Sequence, residues 1–134
     1  MTAEGLVVFD ASALVAYARN ELGADVVAAR LRSASRVMIS AVNWAEAAGK
    51  LREYRMTPAV LRQALAAVEA EIVAFVEADA DTVSELTPRL RLLGLSLGDS
   101  ACLGLALTLG APVLTTDQAW SRLDLDGLVV EQIR

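Results

Sequence analysis

Five short apolar runs punctuate the chain: LVVF at 6–9, RVMIS at 36–40, EIVAFV at 71–76, PVLTT at 112–116 and LVVE at 128–131. None alternates apolar with polar residues, so each suits a strand buried on both faces of a parallel sheet. Parallel neighbours need long crossovers, and the intervening segments read as helices. Thr57-Pro58 supplies a cap and a first-turn proline ahead of a Leu61, Leu65, Val68 stripe. Thr82 with Glu85 reads as a capping box, Gly94 as the stop of that helix, and Pro88 predicts a kink or a restart. Ser96 opens a further helix that is apolar almost all round from Ala101 to Leu109, so it should be buried. Strands alternating with helices give an open α/β sheet.

The chain is long enough for one domain. At 134 residues it can bury roughly 68% of its unfolded surface, and no linker, low-complexity tract or internal repeat marks a boundary. With 55% hydrophobic and only 4% aromatic residues, Ala, Leu and Val must build the core. No secretory leader is recognisable at the N-terminus, and the longest uncharged stretch, between Asp99 and Asp117, is interrupted by Pro112. That stretch falls short of the roughly 20 apolar residues that span a bilayer. A cytoplasmic protein without a membrane segment is expected.

Composition removes much of the usual catalytic repertoire. There are no histidines and a single cysteine, Cys102, so no Ser-His-Asp triad, Cys-His pair, disulfide or multi-cysteine zinc site is available. Catalysis would have to rest on carboxylates, hydroxyls and amides, which favour hard cations such as Mg2+ or Mn2+. A net charge of −5 disfavours non-specific duplex binding. Yet all but one of the twelve basic residues are arginine, the better bidentate phosphate ligand, so a nucleic-acid substrate stays open.

Ligands of open α/β sheets bind beyond the carboxyl ends of the strands, and two acids sit there. Asp10 follows the first run directly, and Asp117 follows the fourth. Each also reads as an N-cap, Asp10 of a helix from Ala11 and Asp117 of a short helix through Ser121. Asp99, three residues past Ser96, fits the acid of a capping box, but its helix neighbours Cys102, Leu103 and Ala106 are apolar, and a carboxylate on that face needs a partner. Glu46 lies too deep in its helix to cap it. A surface pair with Lys50, four residues on, would be worth only about 0.5 kcal/mol. Individually, each acid leaves two readings open.

The segments VVFDASAL, ISAVNWAE, LGLSLGDSACLGLAL and PVLTTDQAW, in this order and spacing, resemble the PIN domain family, and within it the VapC-type toxin ribonucleases of bacterial toxin–antitoxin pairs. The likeness spans essentially the whole chain. It implies a single PIN domain over 1–134, with a three-layer α/β/α fold around a central parallel sheet of about five strands. It implies an acidic cluster that binds Mg2+ or Mn2+ and cuts RNA, leaving 5′-phosphate and 3′-hydroxyl ends. Carried over residue by residue, the cluster is Asp10, Glu46, Asp99 and Asp117. Ser12, Asn43 and Thr115 match the polar residues that orient the ligands. A VapB-type antitoxin is the implied partner, and so apolar a chain is expected to form a homodimer. Asp124 matches nothing in the pattern and reads as surface.

Other features have bland readings. Trp44 and Trp120 read as core or interface, and Cys102 as a small apolar residue. Arg52, Arg55, Arg89 and Arg91 suit a solvated face as well as an RNA or antitoxin contact, while the segment 44–70 suits a partner-binding arm. Two other classes compete with a nuclease. A phospho-acceptor signalling domain would need a lysine near the acids at a strand end, whereas the only lysine is Lys50 in mid-helix. A non-catalytic interaction module would keep the fold but has no need of four acids.

Overall fold

The computed structural model describes residues 5–134, and at its centre β1 (Leu6–Phe9) is flanked on both sides. The strands β2 (Arg36–Ser40), β3 (Glu71–Val73), β4 (Val113–Thr115) and β5 (Val130–Gln132) complete a sheet in the order β3-β2-β1-β4-β5, every pair parallel. The five apolar runs are therefore the five strands. The third is shorter than its run, ending at Val73, and the fifth starts two residues later than its run and ends one residue later.

Alternate residues of the central strands feed two cores, because successive side chains point to opposite faces. Val7, Phe9, Val37, Ile39 and Leu114 pack under α1 (Ala11–Ala18), α2 (Ala24–Ser33), α3 (Ala41–Glu53) and α4 (Ala59–Ala67). Leu6, Val8, Met38 and Val113 pack on the other face under α5 (Glu77–Arg91), α6 (Leu97–Leu109) and a 3-10 helix at Gln118–Arg122. The result is the three-layer α/β/α arrangement implied by the resemblance. Trp120, fully buried, fills the second core, and Cys102 lies on the same side, its thiol pKa pushed well up by burial. Trp44 is half-buried against the first core, with the Arg62 guanidinium 4.6 Å from its ring centroid.

Helix boundaries differ from expectation at α5. It begins at Glu77, not after Thr82, with the Val76 amide donating to Asp79 Oδ2 at 2.8 Å. Thr82 is instead inside the helix, its hydroxyl donating to the Ala78 carbonyl, so the Thr82–Glu85 capping box does not form. The acids at Glu77 and Asp79 favour the earlier start, since negative charge is stabilising at a helix N-terminus. Pro88 is accommodated within the single helix without a restart. Near Gly94 the chain turns at φ +71°, after α5 has ended at Arg91. Thr57 does act locally as a cap, accepting from the Ala59 amide at 3.3 Å. The helix α6 is buried as its sequence requires. Among the described residues no helix is long and apolar enough to cross a membrane.

Candidate functional site

The chain runs from β1 outward through β2 to β3, then returns to the other side of β1 for β4 and β5. The order therefore reverses between β1 and β4, and a crevice opens beyond their carboxyl ends. Asp10 follows β1 directly at this end of the sheet and is buried there. The Asp10 amide still donates to the Leu114 carbonyl of β4 at 3.0 Å, and its own carbonyl begins α1 by accepting from Ala13 and Leu14.

By backbone, Asp10 is the N-cap of α1, but its side chain caps nothing. It turns to two hydroxyls: Ser12 Oγ donates to Oδ2 at 2.7 Å and Thr115 Oγ1 donates to the same oxygen at 3.0 Å. Each hydroxyl also receives a backbone amide, Thr116 on Ser12 Oγ and Asp117 on Thr115 Oγ1, both at 3.0 Å. With one proton apiece, both hydroxyls are committed as donors to Asp10. This leaves Oδ1 without a hydrogen bond from the described residues. Only 4% exposed, the carboxyl titrates at about 6. Desolvation is the main cause, opposed by the two hydroxyls and reinforced by the charges of Asp99 and Glu46.

Glu46 projects from α3, whose start is set by Ser40 Oγ accepting from the Val42 amide at 3.2 Å. One turn earlier on the same face, buried Asn43 donates through Nδ2 to Glu46 Oε1 and to the Gly98 carbonyl of α6, each at 2.9 Å. The surface pair with Lys50 does not form; Lys50 meets Glu53 at 3.4 Å. Partial burial raises the pKa of Glu46, the Asn43 hydrogen bond lowers it, and Asp99 raises it again.

Asp99 realises the capping box. Its Oδ2 accepts from the Ser96 amide at 2.8 Å while Ser96 Oγ accepts from the Asp99 amide at 3.2 Å. Capping and a role at the crevice are compatible, because one oxygen suffices for the cap and the charge still acts on both Asp10 and Glu46. Asp117 likewise serves as a cap, Oδ1 accepting from the Ala119 amide at 2.9 Å at the start of the 3-10 helix.

The structure thus brings Asp10, Glu46 and Asp99 within electrostatic reach of one another. It ties Asp117 to Asp10 through Thr115 and the backbone, not through its carboxylate. Among the described residues no three acidic or cysteine side chains are drawn up as a ready-made metal site. The donor chemistry nevertheless suits a hard divalent cation: carboxylates only, with Asp10 Oδ1 unbonded and Asp10 disfavoured as an anion when nothing neutralises it. Gly98 was not singled out by the sequence reading, and its carbonyl is half of what holds Asn43. The LGD string of residues 97–99 places it beside an acid, but nothing in the string reports that α3 reaches it.

Arg52, Arg55, Arg89 and Arg91 are exposed, as a solvated face requires. A groove of about 690 Å³ runs from Ser12, Glu46 and Thr116 past Lys50 and Glu53 to Tyr54 and Arg134. The Arg19 guanidinium lies 3.5 Å from the centroid of the Tyr54 ring near that end.

No curated protein matches the chain in sequence. Among solved structures, a chain of VapBC2 from Rickettsia felis, crystallised with a fragment of promoter DNA, superposes with a TM-score of 0.70 at 18% identity, covering 95% of this chain and 98% of that one. A toxin–antitoxin complex from Klebsiella pneumoniae gives 0.70 at 19%, covering 92% and 95%. DNA-bound VapBC from Salmonella typhimurium gives 0.65 at 17%, covering all of both chains. At such identities the likeness is one of fold. The PIN domain family model matches residues 7–125, from β1 to beyond the 3-10 helix, and so spans all four acids, which places this chain in the PIN domain family.

Proposed function

We propose that the chain is a Mg2+- or Mn2+-dependent endoribonuclease, the VapC-type toxin of a type II toxin–antitoxin pair. One observation carries the reading. At the strand ends of a PIN domain, Asp10 is buried beside Asp99 and Glu46, which oppose its ionisation, and among the described residues no basic side chain offsets them. Burial is the larger cost to the Asp10 anion and the two neighbouring charges add to it, in a fold whose total stability is typically only about 5–15 kcal/mol. Such a cluster is sustained by protons or by a cation, and only the cation gives it a use at neutral pH.

When bound, Mg2+ or Mn2+ would lower the pKa of a water molecule and offset charge on a phosphodiester. Asp10, Asp99 and Asp117 would hold it, with Glu46 either ligating or taking the proton of the attacking water. Ser12 and Thr115 fix the Asp10 carboxylate so that Oδ1 faces away from its hydrogen-bond donors, and Asn43 fixes Glu46. Those residues orient the ligands, as outer-shell partners do in metal sites. The products would carry 5′-phosphate and 3′-hydroxyl ends.

The similar structures include toxin–antitoxin complexes, which supports a VapB-type antitoxin as partner of this chain in the cytoplasm. A homodimer belongs to the same proposal, covering part of the exposed apolar surface that includes Leu22, Val60 and Leu92. The test is cleavage of total RNA by the native chain and by Asp10→Asn, each with Mg2+, Mn2+ or EDTA. Metal-dependent cutting that the substitution abolishes is expected. Equal activity in the two proteins, or none with any metal, would favour a non-catalytic interaction module.

A further inference from the structure

Two helices compete for one small volume at the crevice. A β-carbon on Gly98 would fall 2.3 Å from Glu46 Oε1 and 2.4 Å from both its Cδ and Oε2. The Glu46 carboxylate therefore fills the place where any other residue would have its side chain. Gly98 lies within α6, in backbone that every residue type accepts, and glycine is a poor helix former. Its backbone conformation does not call for glycine; the carboxylate opposite does. A second contact reaches the same residue: the Gly98 carbonyl accepts from the Asn43 amide that also donates to Glu46 Oε1.

We propose that Gly98 is the positioning residue for Glu46, leaving the space the carboxylate occupies and anchoring the amide that aims it. The inference rests on the nuclease reading for its consequence, though not for its geometry. A mere close-packing role would bring backbone of α3 nearest to the missing β-carbon, whereas the three nearest atoms all belong to the Glu46 carboxyl group.

The experiment is a double-mutant cycle of Gly98→Ala and Glu46→Asp, because the shorter aspartate withdraws the carboxylate from the new methyl group. Three quantities are read for each protein: kcat and KM on RNA, Mn2+ affinity, and thermal stability. Gly98→Ala alone should lower kcat at least tenfold with little change in KM, weaken Mn2+ binding, and leave Tm unchanged or raised. In the Glu46→Asp background the same change should alter kcat and Mn2+ affinity by less than twofold.

Undiminished activity and Mn2+ affinity in Gly98→Ala, equal losses in both backgrounds, or a Tm that falls in step with activity would each overturn the assignment. An active native chain indifferent to Gly98→Ala sinks this inference alone. A native chain that binds Mn2+ without cutting RNA sinks the nuclease reading alone, provided Gly98→Ala weakens binding only when Glu46 is present. A native chain that neither cuts nor binds sinks both.

Discussion

Replacing Asp10 by asparagine should make the metal-free protein more stable while abolishing the RNA cleavage proposed above. Burial and the charges of Asp99 and Glu46 move the Asp10 pKa from 3.8 to about 6. The fold therefore holds the Asp10 proton more tightly than the unfolded chain does. This group's contribution to stability is fully present below about pH 4 and is lost as the pH rises through about 6. A displacement of about two pKa units corresponds to about 3 kcal/mol of destabilisation at pH 7.5. With Asp10 only 4% exposed, solvent screening removes little of it. Asparagine keeps an oxygen for Ser12 and Thr115 and discards the charge. In EDTA at pH 7.5, denaturant titration should show Asp10→Asn more stable by up to about 3 kcal/mol, roughly 10 °C in Tm for a domain of this size. The difference should shrink toward pH 4. Saturating Mn2+, at a hundred times its Kd, should restore about 2.7 kcal/mol to the native chain and much less to the variant. An Asp10→Asn protein that is less stable in EDTA at pH 7.5, or one that gains as much from Mn2+ as the native chain, would refute the reasoning.

Other expectations follow from the same structure. Thr115→Val removes a donor to Asp10 and the acceptor of the partly buried Asp117 amide, so it should cost about 1–3 kcal/mol in chemical denaturation and push the Asp10 titration, followed by NMR, above its native midpoint. Trp120→Ala empties the largest fully buried position of the second core and should cost about 3–5 kcal/mol by the same measure. Gly23 has φ +96° and a β-carbon there would lie 2.6 Å from the Ile133 carbonyl, so Gly23→Ala should lower stability by more than about 1 kcal/mol. Arg89→Ala and Arg91→Ala, at exposed positions, should each stay within about 0.5 kcal/mol of native in thermal melts.

The strands were readable because burial on both faces leaves a local mark: an uninterrupted apolar run has no other easy use in a chain that alternates it with helices. The 3-10 helix capped by Asp117 and the capping box of Ser96 and Asp99 were readable for a related reason, since caps act over two or three residues. The start of α5 was misplaced because Thr82 and Glu85 make as good a local signal as the acids at Glu77 and Asp79. Only the packed helix, with Thr82 bonded back to Ala78, decides between them.

The acids show where local reading ends. From sequence, each of the four had a bland alternative, and for Asp99 and Asp117 the alternative is realised, since both cap helices. Asp10 occupies a cap position and ignores it. That choice is made by Thr115, 105 residues away in the chain, and by Ser12. The resemblance named the residues but not the forces between them. Sequence by itself determined the parallel α/β sheet and a donor set without histidine, because periodicity and composition act locally or over the whole chain. Tertiary structure alone decided that α3 reaches across to Gly98 and that Asp10 is buried where the charges of Asp99 and Glu46 add to the cost of its ionisation. Both depend on distances through space between segments that the chain itself keeps far apart.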